Sequence, residues 1–196
     1  MKPLTVIIIT HNRLEFTART FNSLKESVPH ARFLIGVDGN SEELVNYAIK
    51  EIGAENVFVS VKNHGWGSMS NMGLRYAETE MILISNNDVE YHPGWYERAL
   101  SLYDKYPKIG VLGVWKHTAH GVKEELEDLI IKDQMPAVGW LFKRDVLTDI
   151  GPFAEHGPCS TKGGNGEDVD YCIRAEQKGY WVCGPKVDIA EHLDGY

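Results

Sequence analysis

The sequence has few cysteines and an excess of acidic over basic side chains, and both features exclude classes of protein. Its 196 residues include three cysteines, Cys159, Cys172 and Cys183, with no CxxC spacing. They predict neither a disulfide framework nor a zinc site and are typical of a reducing compartment. Lys and Arg total 20 against 28 Asp and Glu, which gives a net charge of −8. This balance argues against nucleic-acid binding, which requires basic side chains that face phosphates.

Long apolar runs are also missing. The most apolar segment, residues 6–9, is followed at once by polar residues 10–13. It is too short for a signal peptide and far below the ~20 apolar residues of a membrane span. We therefore expect a cytoplasmic protein with no integral membrane segment. No linker divides the chain, so we expect one domain over residues 1–196.

Short β-rich runs alternate with helical patterns along the chain. This alternation predicts an α/β fold, in which a mostly parallel, open twisted sheet is flanked by helices. We also predict a short amphipathic helix over residues 124–131, inside a segment with no strong strand signal. The predicted strands cover residues 4–9, 33–37, 57–61, 81–84, 109–114, 137–142 and 180–183, and the main predicted helices cover residues 16–24, 41–52, 145–150 and 167–178, with another that ends near residue 75.

Polar, acidic and glycine residues follow four consecutive predicted strands. They occupy residues 10–13, 38–41, 63–67 and 85–88. In an open parallel sheet, ligands bind outside the carboxyl ends of the strands, although the same residue types also form ordinary turns. Asp88 stands out because a carboxylate at the mouth of a buried sheet needs a partner. Asn86 and Asp88 project to the same side of an extended backbone, which suits Mn²⁺ or Mg²⁺, and an Asx turn is the alternative.

A second acidic cluster lies at residues 167–170, where a helix is predicted to begin. Acidic side chains at this end of a helix interact favourably with the helix macrodipole, which explains part of the cluster. Asp170 and Arg174 are four residues apart and are expected to form an ion pair. Glu167 and Asp168 are left in the first turn, where a carboxylate is well placed to act as a general base.

Five short motifs occur in order along most of the chain, from Thr5 to about His192, and together they carry a family resemblance. The sequence resembles the family 2 inverting nucleotide-sugar glycosyltransferases, which have the GT-A fold. Each motif alone is weak, and it is their order and their places at strand and helix ends that give the signal. The motifs are VIIITHNR at residues 6–13, VDGNS at 37–41, NHG at 63–65 with NMG at 71–73, ISNND at 84–88, and GEDVD at 166–170 followed by Arg174.

The resemblance implies a role for each matching residue. Asp38 is expected to hydrogen-bond the base, usually uracil, and Asp88 to bind a metal ion, Mn²⁺ or Mg²⁺, with His192 as a further ligand. Asp168 matches the catalytic base, with Glu167 and Asp170 as alternates. The first acid of the metal motif is replaced by Asn86, so we expect modest metal affinity without the donor. The remaining expected donor-binding residues are Thr10, Asn12, Arg13, Asn63, Gly65, Asn71, Asn86 and Asn87.

The implied reaction moves a hexose-like sugar from a nucleoside-diphosphate sugar, with UDP-sugars expected, to a hydroxyl of a glycan, lipid or small molecule. Residues 1–90 are expected to form the donor half and residues 91–196 the acceptor half, with Trp140 on the acceptor side. Since four residues follow His192, we expect a short single-domain form rather than a processive polysaccharide synthase.

Two other functions stay open. A sugar-phosphate nucleotidyltransferase can share the architecture, but it uses a glycine-rich, basic loop after the first strand. Residues 10–13 hold one arginine and no glycine. The other alternative is a non-catalytic module that binds sugar nucleotides or glycans.

Overall fold

The computed structural model describes residues 2–115, 121–155 and 166–193. Within these ranges, a nine-stranded sheet lies between two layers of helices, and a separate two-stranded sheet flanks it. The strands are β1 (Leu4–Thr10), β2 (Arg32–Asp38), β3 (Val57–Ser60), β4 (Met81–Asn86), β5 (Val89–Tyr91), β6 (Ile109–Gly113), β7 (Val122–Glu125), β8 (Leu129–Lys132), β9 (Gly139–Lys143), β10 (Trp181–Pro185) and β11 (Ala190–His192). The helices are α1 (Leu14–Ser27), α2 (Glu42–Ile52), α3 (Trp66–Leu74), α4 (Trp95–Lys105), α5 (Arg144–Ile150) and α6 (Glu167–Gln177), with a 3₁₀ turn at Ala54–Asn56.

The strand order of the large sheet is β3-β2-β1-β4-β9-β6-β10-β8-β7. Strands β3, β2, β1 and β4 are parallel neighbours. Strand β9 is antiparallel to both β4 and β6, so that β6 and β10 again run with β1. The predicted α/β class with a mostly parallel sheet is therefore confirmed. The small sheet pairs β11 with β5 in antiparallel fashion.

Strand β1 shows why the chain forms a three-layer structure. All seven of its residues are buried. Because successive side chains of a strand point to opposite faces, Val6 and Ile8 pack into one hydrophobic core while Ile7 and Ile9 pack into the other. A strand covered on both faces requires the continuous apolar run that the sequence has there. The first core receives α1, α2 and α4, and the second receives α3, α5 and α6.

The prediction of a helix over residues 124–131 is wrong. This segment forms the β7–β8 hairpin, whose turn is closed by a hydrogen bond of 2.8 Å from the Leu126 amide to the Leu129 carbonyl. All four residues of β8 are buried and β8 pairs with β10, so the apolar residues that suggested one helical face belong to a covered strand. Helix α4 and the short strands β5 and β11 were not predicted either.

Candidate functional site

Several chain segments meet at the carboxyl edge of the parallel strands. The register of β1 with β2 and β4 places the ends of these strands, at Thr10, Asp38 and Asn86, side by side. Helix α6 begins at the same edge. A Cβ added to Gly67, in the first turn of α3, would lie 3.4 Å from the Cβ of Glu167. The structure thus brings the strand-end motifs and the acidic cluster to one region.

Asn87 connects this edge to the start of α1. Its amide Nδ2 donates to the Asn12 carbonyl at 2.7 Å, to Thr17 Oγ1 at 3.0 Å and to Thr10 Oγ1 at 3.1 Å. Arg13, the N-cap of α1, has a left-handed backbone with φ 64°, and its guanidinium lies 5.2 Å from the centre of the Phe16 ring. Asn87 and Thr10 therefore shape the loop that carries Asn12 and Arg13, whose side chains are exposed.

Asp38 holds the loop between β3 and α3. Its two carboxylate oxygens accept hydrogen bonds of 2.8 Å from the backbone amides of His64 and Gly65, and the residue is 3% exposed. Asn63 Oδ1 accepts from the Gly65 amide as well, at 3.1 Å. His11 Nδ1 contacts the carbonyl of Asp38. The carboxylate is thus engaged by the protein itself, and a direct contact of Asp38 with a base stays a prediction.

Asp88 and His192 meet although they are far apart in sequence. Strand β11 pairs with β5 so that His192 is opposite Val89, and the Leu193 amide donates to the Asp88 carbonyl at 2.8 Å. His192 Nε2 lies 3.4 Å from Asp88 Oδ1, with side chains 6% and 17% exposed. Asp88 Oδ1 is buried and accepts no hydrogen bond from any described residue. The indole of Trp115 lies against the His192 ring, with centres 5.6 Å apart.

This pair fits a divalent cation. Ligands that share a cation at about 2.1 Å are typically about 3 Å apart, close to the observed separation. A buried carboxylate oxygen with no donor is costly, and a cation would satisfy it. Among the described residues, no three His, Cys, Asp or Glu side chains group as a metal site, so two protein ligands are available here.

The acidic side chains at the start of α6 have different surroundings. Asp170 pairs with Arg174, with Arg174 Nε 2.9 Å and Nη2 2.8 Å from Asp170 Oδ2, as expected from their spacing. Burial, with a smaller contribution from the charge of Asp168, raises the pKa of the Glu167 carboxyl. Asp168 Oδ1 accepts from the Val169 amide at 2.7 Å, and no contact to its Oδ2 is observed among the described residues. Asp168 therefore keeps one carboxylate oxygen without a contact among the described residues, unlike Asp170, whose carboxylate is paired with Arg174.

The structure places two expected site residues inside the protein. Trp140 is 0% exposed, its indole donates to the Pro136 carbonyl at 3.0 Å, and it packs among other aromatic rings. It cannot contact an acceptor from this position, so its prediction as an acceptor-side residue is corrected. Asn71 donates to the Phe153 carbonyl at 2.9 Å and to Glu155 Oε1 at 3.0 Å, and accepts from the Phe153 amide. Its amide ties α3 to residues 153–155 rather than facing the donor region.

Sequence reasoning missed Thr17 as a member of the site and assigned no specific role to Trp115. Thr17 is buried and its hydroxyl lies 2.9 Å from that of Thr10, which completes the environment of Asn87. The position of Thr17 on the buried face of α1, where apolar residues are the rule, was a sequence signal for a polar contact inside the protein. Trp115 directly follows the end region of β6, where ligand-binding residues are expected.

Cys172 and Cys183 are free and buried, and Cys159 lies outside the described residues.

Comparison with known proteins adds three findings. The sequence profile described as glycosyl transferase family 2 matches residues 5–160. A comparison with curated protein sequences gives no significant match. Among solved structures, the chain is similar to GalNAc-T7 crystallised with UDP, GalNAc and Mn²⁺, with a TM-score of 0.77 at 14% identity, over 97% of this chain and 43% of that one.

Two further structures are similar. A mannosyltransferase, PcManGT from Pyrobaculum calidifontis, in complex with GDP-Man and Mn²⁺, has a TM-score of 0.68 at 15% identity over 93% of this chain and 56% of its own. Residues 1–349 of S. aureus TarS in complex with UDP-GlcNAc have a TM-score of 0.70 at 17% identity over 99% of this chain and 61% of that one. This chain thus spans about half the length of these structures. At such identities the similarity demonstrates the fold. Separately, none of the described helices is long and apolar enough to cross a membrane.

Proposed function

We propose, from the premise that this chain belongs to glycosyl transferase family 2, that it is a metal-dependent, inverting glycosyltransferase. Its donor is a nucleoside-diphosphate sugar, with UDP as the nucleotide, and its acceptor is a hydroxyl group of a glycan, lipid or small molecule. In this proposal, residues 1–90 bind the donor and residues 91–196 contribute the acceptor side. The sugar nucleotides and Mn²⁺ named for the similar structures support it.

The observation that carries the proposal is the approach of His192 Nε2 to Asp88 Oδ1, 3.4 Å apart, because this oxygen is buried and accepts no hydrogen bond from the described residues. An imidazole and a carboxylate at the carboxyl edge of a parallel sheet would hold Mn²⁺ or Mg²⁺. When bound, the cation supplies positive charge that neutralises the charge developing on the leaving diphosphate. The single carboxylate leaves the remaining ligand positions to phosphate oxygens of the donor and to water.

The loops around this pair supply the donor pocket. Asp38 already accepts the His64 and Gly65 amides, so this loop would meet a ribose or phosphate oxygen through the exposed side chain of Asn63, next to Gly65. Asn12 and Arg13 lie on the loop supported by Asn87. The Arg13 guanidinium adds positive charge that suits a diphosphate.

Asp168 serves as the base in the proposed reaction. The acceptor oxygen forms a bond to the anomeric carbon from the face opposite the diphosphate, the bond from that carbon to the phosphate oxygen breaks, and the acceptor proton moves to Asp168 Oδ2. One displacement of this kind inverts the anomeric configuration. Asp170 is less suited because Arg174 holds its carboxylate. Glu167, whose pKa is raised by burial, is the alternative base. A positioned base contributes about 10²–10⁴-fold.

The test measures nucleoside-diphosphate release from UDP- and GDP-sugars with and without Mn²⁺, followed by NMR assignment of the product anomer. We expect metal-dependent release that falls at least about 10²-fold in Asp168→Asn. We expect Asp88→Asn and His192→Gln to require more Mn²⁺, while Glu191→Gln, an exposed neighbour on β11, matches the parent.

The two other functions predict different results. Release of pyrophosphate from a nucleoside triphosphate and a sugar phosphate would indicate a nucleotidyltransferase. Donor binding that survives in Asp168→Asn, with no turnover in the parent protein, would indicate a binding module. Release that is independent of metal, or unchanged in Asp88→Asn, would overturn the proposed metal site.

A further inference from the structure

A second concave site lies on the face of the sheet covered by α3 and α5, built from parts of the fold that the proposed reaction does not use. It is an open groove with a volume of about 550 Å³, within the range of small-molecule sites. Leu74, Ala77, Ile82 and Leu147 give it an apolar floor. The rest of its lining is Asn71, Arg75, Arg144, Thr148, Gly151, Pro152 and Glu155.

Two arginines, Arg75 and Arg144, give this groove positive charge. Both are exposed, and neither guanidinium forms an ion pair or hydrogen bond among the described residues. Two arginines without an ion pair among the described residues, in one groove, are notable in a chain with a net charge of −8. They make the groove complementary to an anion.

The acidic residues near the groove are engaged elsewhere. Glu80, whose carbonyl accepts the Arg144 amide, pairs with Lys2 at 2.7 Å. Asp149 of α5 pairs with Lys178 at 2.9 Å. Glu155 accepts a hydrogen bond from Asn71 at 3.0 Å. Lys2 and Lys178 compensate the charges of Glu80 and Asp149. Asn71 is neutral and leaves the charge of Glu155 in the lining, where the two guanidiniums still outnumber it.

We infer that this groove binds a phosphate monoester of an aliphatic alcohol, with the phosphate between Arg75 and Arg144 and the hydrocarbon chain on the apolar floor. A phosphate monoester carries nearly two negative charges at neutral pH, which matches two guanidiniums, and guanidinium binds phosphate oxygens in bidentate fashion. Leu74, the most exposed residue of the apolar floor, gives an aliphatic chain apolar surface to cover, and burial of apolar surface is favourable.

The test is direct binding of hexyl phosphate to the full chain, measured by calorimetry without any sugar nucleotide. Inorganic phosphate, hexanol and hexanoate serve as comparison probes. We expect hexyl phosphate to bind at least tenfold more tightly than each of the three. We expect Arg75→Gln and Arg144→Gln each to weaken hexyl phosphate binding about tenfold. Arg98→Gln, an exposed arginine on α4 at the opposite face of the sheet, is the matched control and should not change it.

Three outcomes would overturn the inference. They are binding of hexyl phosphate no tighter than that of inorganic phosphate, equal binding of hexanoate, and unchanged binding by the Arg75→Gln, Arg144→Gln double variant. Thermal unfolding of each variant identifies any that fails to fold, and the Arg75→Lys and Arg144→Lys variants then replace it, with partial binding expected. Because no donor is present in the assay, its result is independent of whether the chain transfers sugars.

Discussion

Replacing Asp38 by asparagine tests how the loop between β3 and α3 is held. In the structure, each carboxylate oxygen of Asp38 accepts one backbone amide, from His64 and Gly65, at 2.8 Å. Asparagine keeps one accepting oxygen and puts an NH₂ donor where the other oxygen was, opposite a backbone N–H. The substitution therefore removes one charge-assisted hydrogen bond and sets two donors against each other, in a residue that is 3% exposed.

The expected cost follows from these contacts. A hydrogen bond to a charged group contributes about 1.5–3 kcal/mol, and an unsatisfied buried donor costs about 1–3 kcal/mol. Since His64 is exposed, water can satisfy the donors on its side of the loop, so only the lost hydrogen bond counts and we take about 2 kcal/mol as the total. For a chain of this size, 1 kcal/mol lowers Tm by about 2–4 °C, so Asp38→Asn should lower it by about 4–8 °C.

The assay is thermal unfolding of the parent, Asp38→Asn and Asp104→Asn, measured in parallel by circular dichroism. Asp104 is an exposed residue of α4 and controls for the loss of one negative charge. The Asp38 variant should also have a higher KM for the donor, because Asn63 and Gly65 lie on the released loop. A Tm within about 1 °C of the parent, or an equal drop in Asp104→Asn, would refute this account of Asp38.

Two further predictions concern packing and buried thiols. Gly67→Ala should lower stability and activity together, because a Cβ there would lie 2.6 Å from the Ala154 carbonyl oxygen and 3.4 Å from Glu167 Cβ. In a helix without such a clash, alanine is more stable than glycine by about 1 kcal/mol, so a higher Tm of the variant would contradict the predicted clash. Burial raises the pKa of the Cys172 thiol to about 12 and that of the Cys183 thiol still further. In the folded protein, iodoacetamide at pH 8 should therefore label neither Cys172 nor Cys183. The stability of the protein should fall as the pH rises above 9, because the thiols of the unfolded chain ionise before those of the folded chain.

The sequence predicts the sheet well where burial determines the pattern. Residues 6–9 have to be apolar on both sides because β1 lies in the middle of the sheet, and that requirement is visible in the composition. Residues 126–131 are ambiguous by the same criterion, since a short apolar run fits a helical face or a covered strand. Pairing of β8 with β10, more than 40 residues later in the chain, decides between them, and a local pattern does not contain that contact.

The sequence predicts which residue types belong to the site, but not always whether their side chains are exposed to a ligand. Trp140 and Asn71 are residue types that often contact ligands, yet tertiary packing buries one and uses the amide of the other for an internal link. Conversely, the meeting of Asp88 and His192 depends on the β5–β11 pair, whose three-residue strands carry little signal. Family resemblance supplied His192 as an expected ligand, and the structure supplies the contact that makes this expectation physically reasonable.

If a cation and a donor bind at this edge of the sheet as proposed, the charges there imply that they bind cooperatively. Asp38 is used by its loop and Asn86 carries no charge, so Asp88 is the carboxylate left to face a cation beside the imidazole of His192. One negative charge holds a divalent ion weakly in water, whereas a diphosphate brings two or more further charges to the same place. If Asp88 and His192 hold the cation as proposed, the donor must raise the affinity for the cation, and linkage requires the cation to raise the affinity for the donor by the same factor. An aspartate at position 86 would weaken this coupling, because the cation would then bind well before the donor arrives.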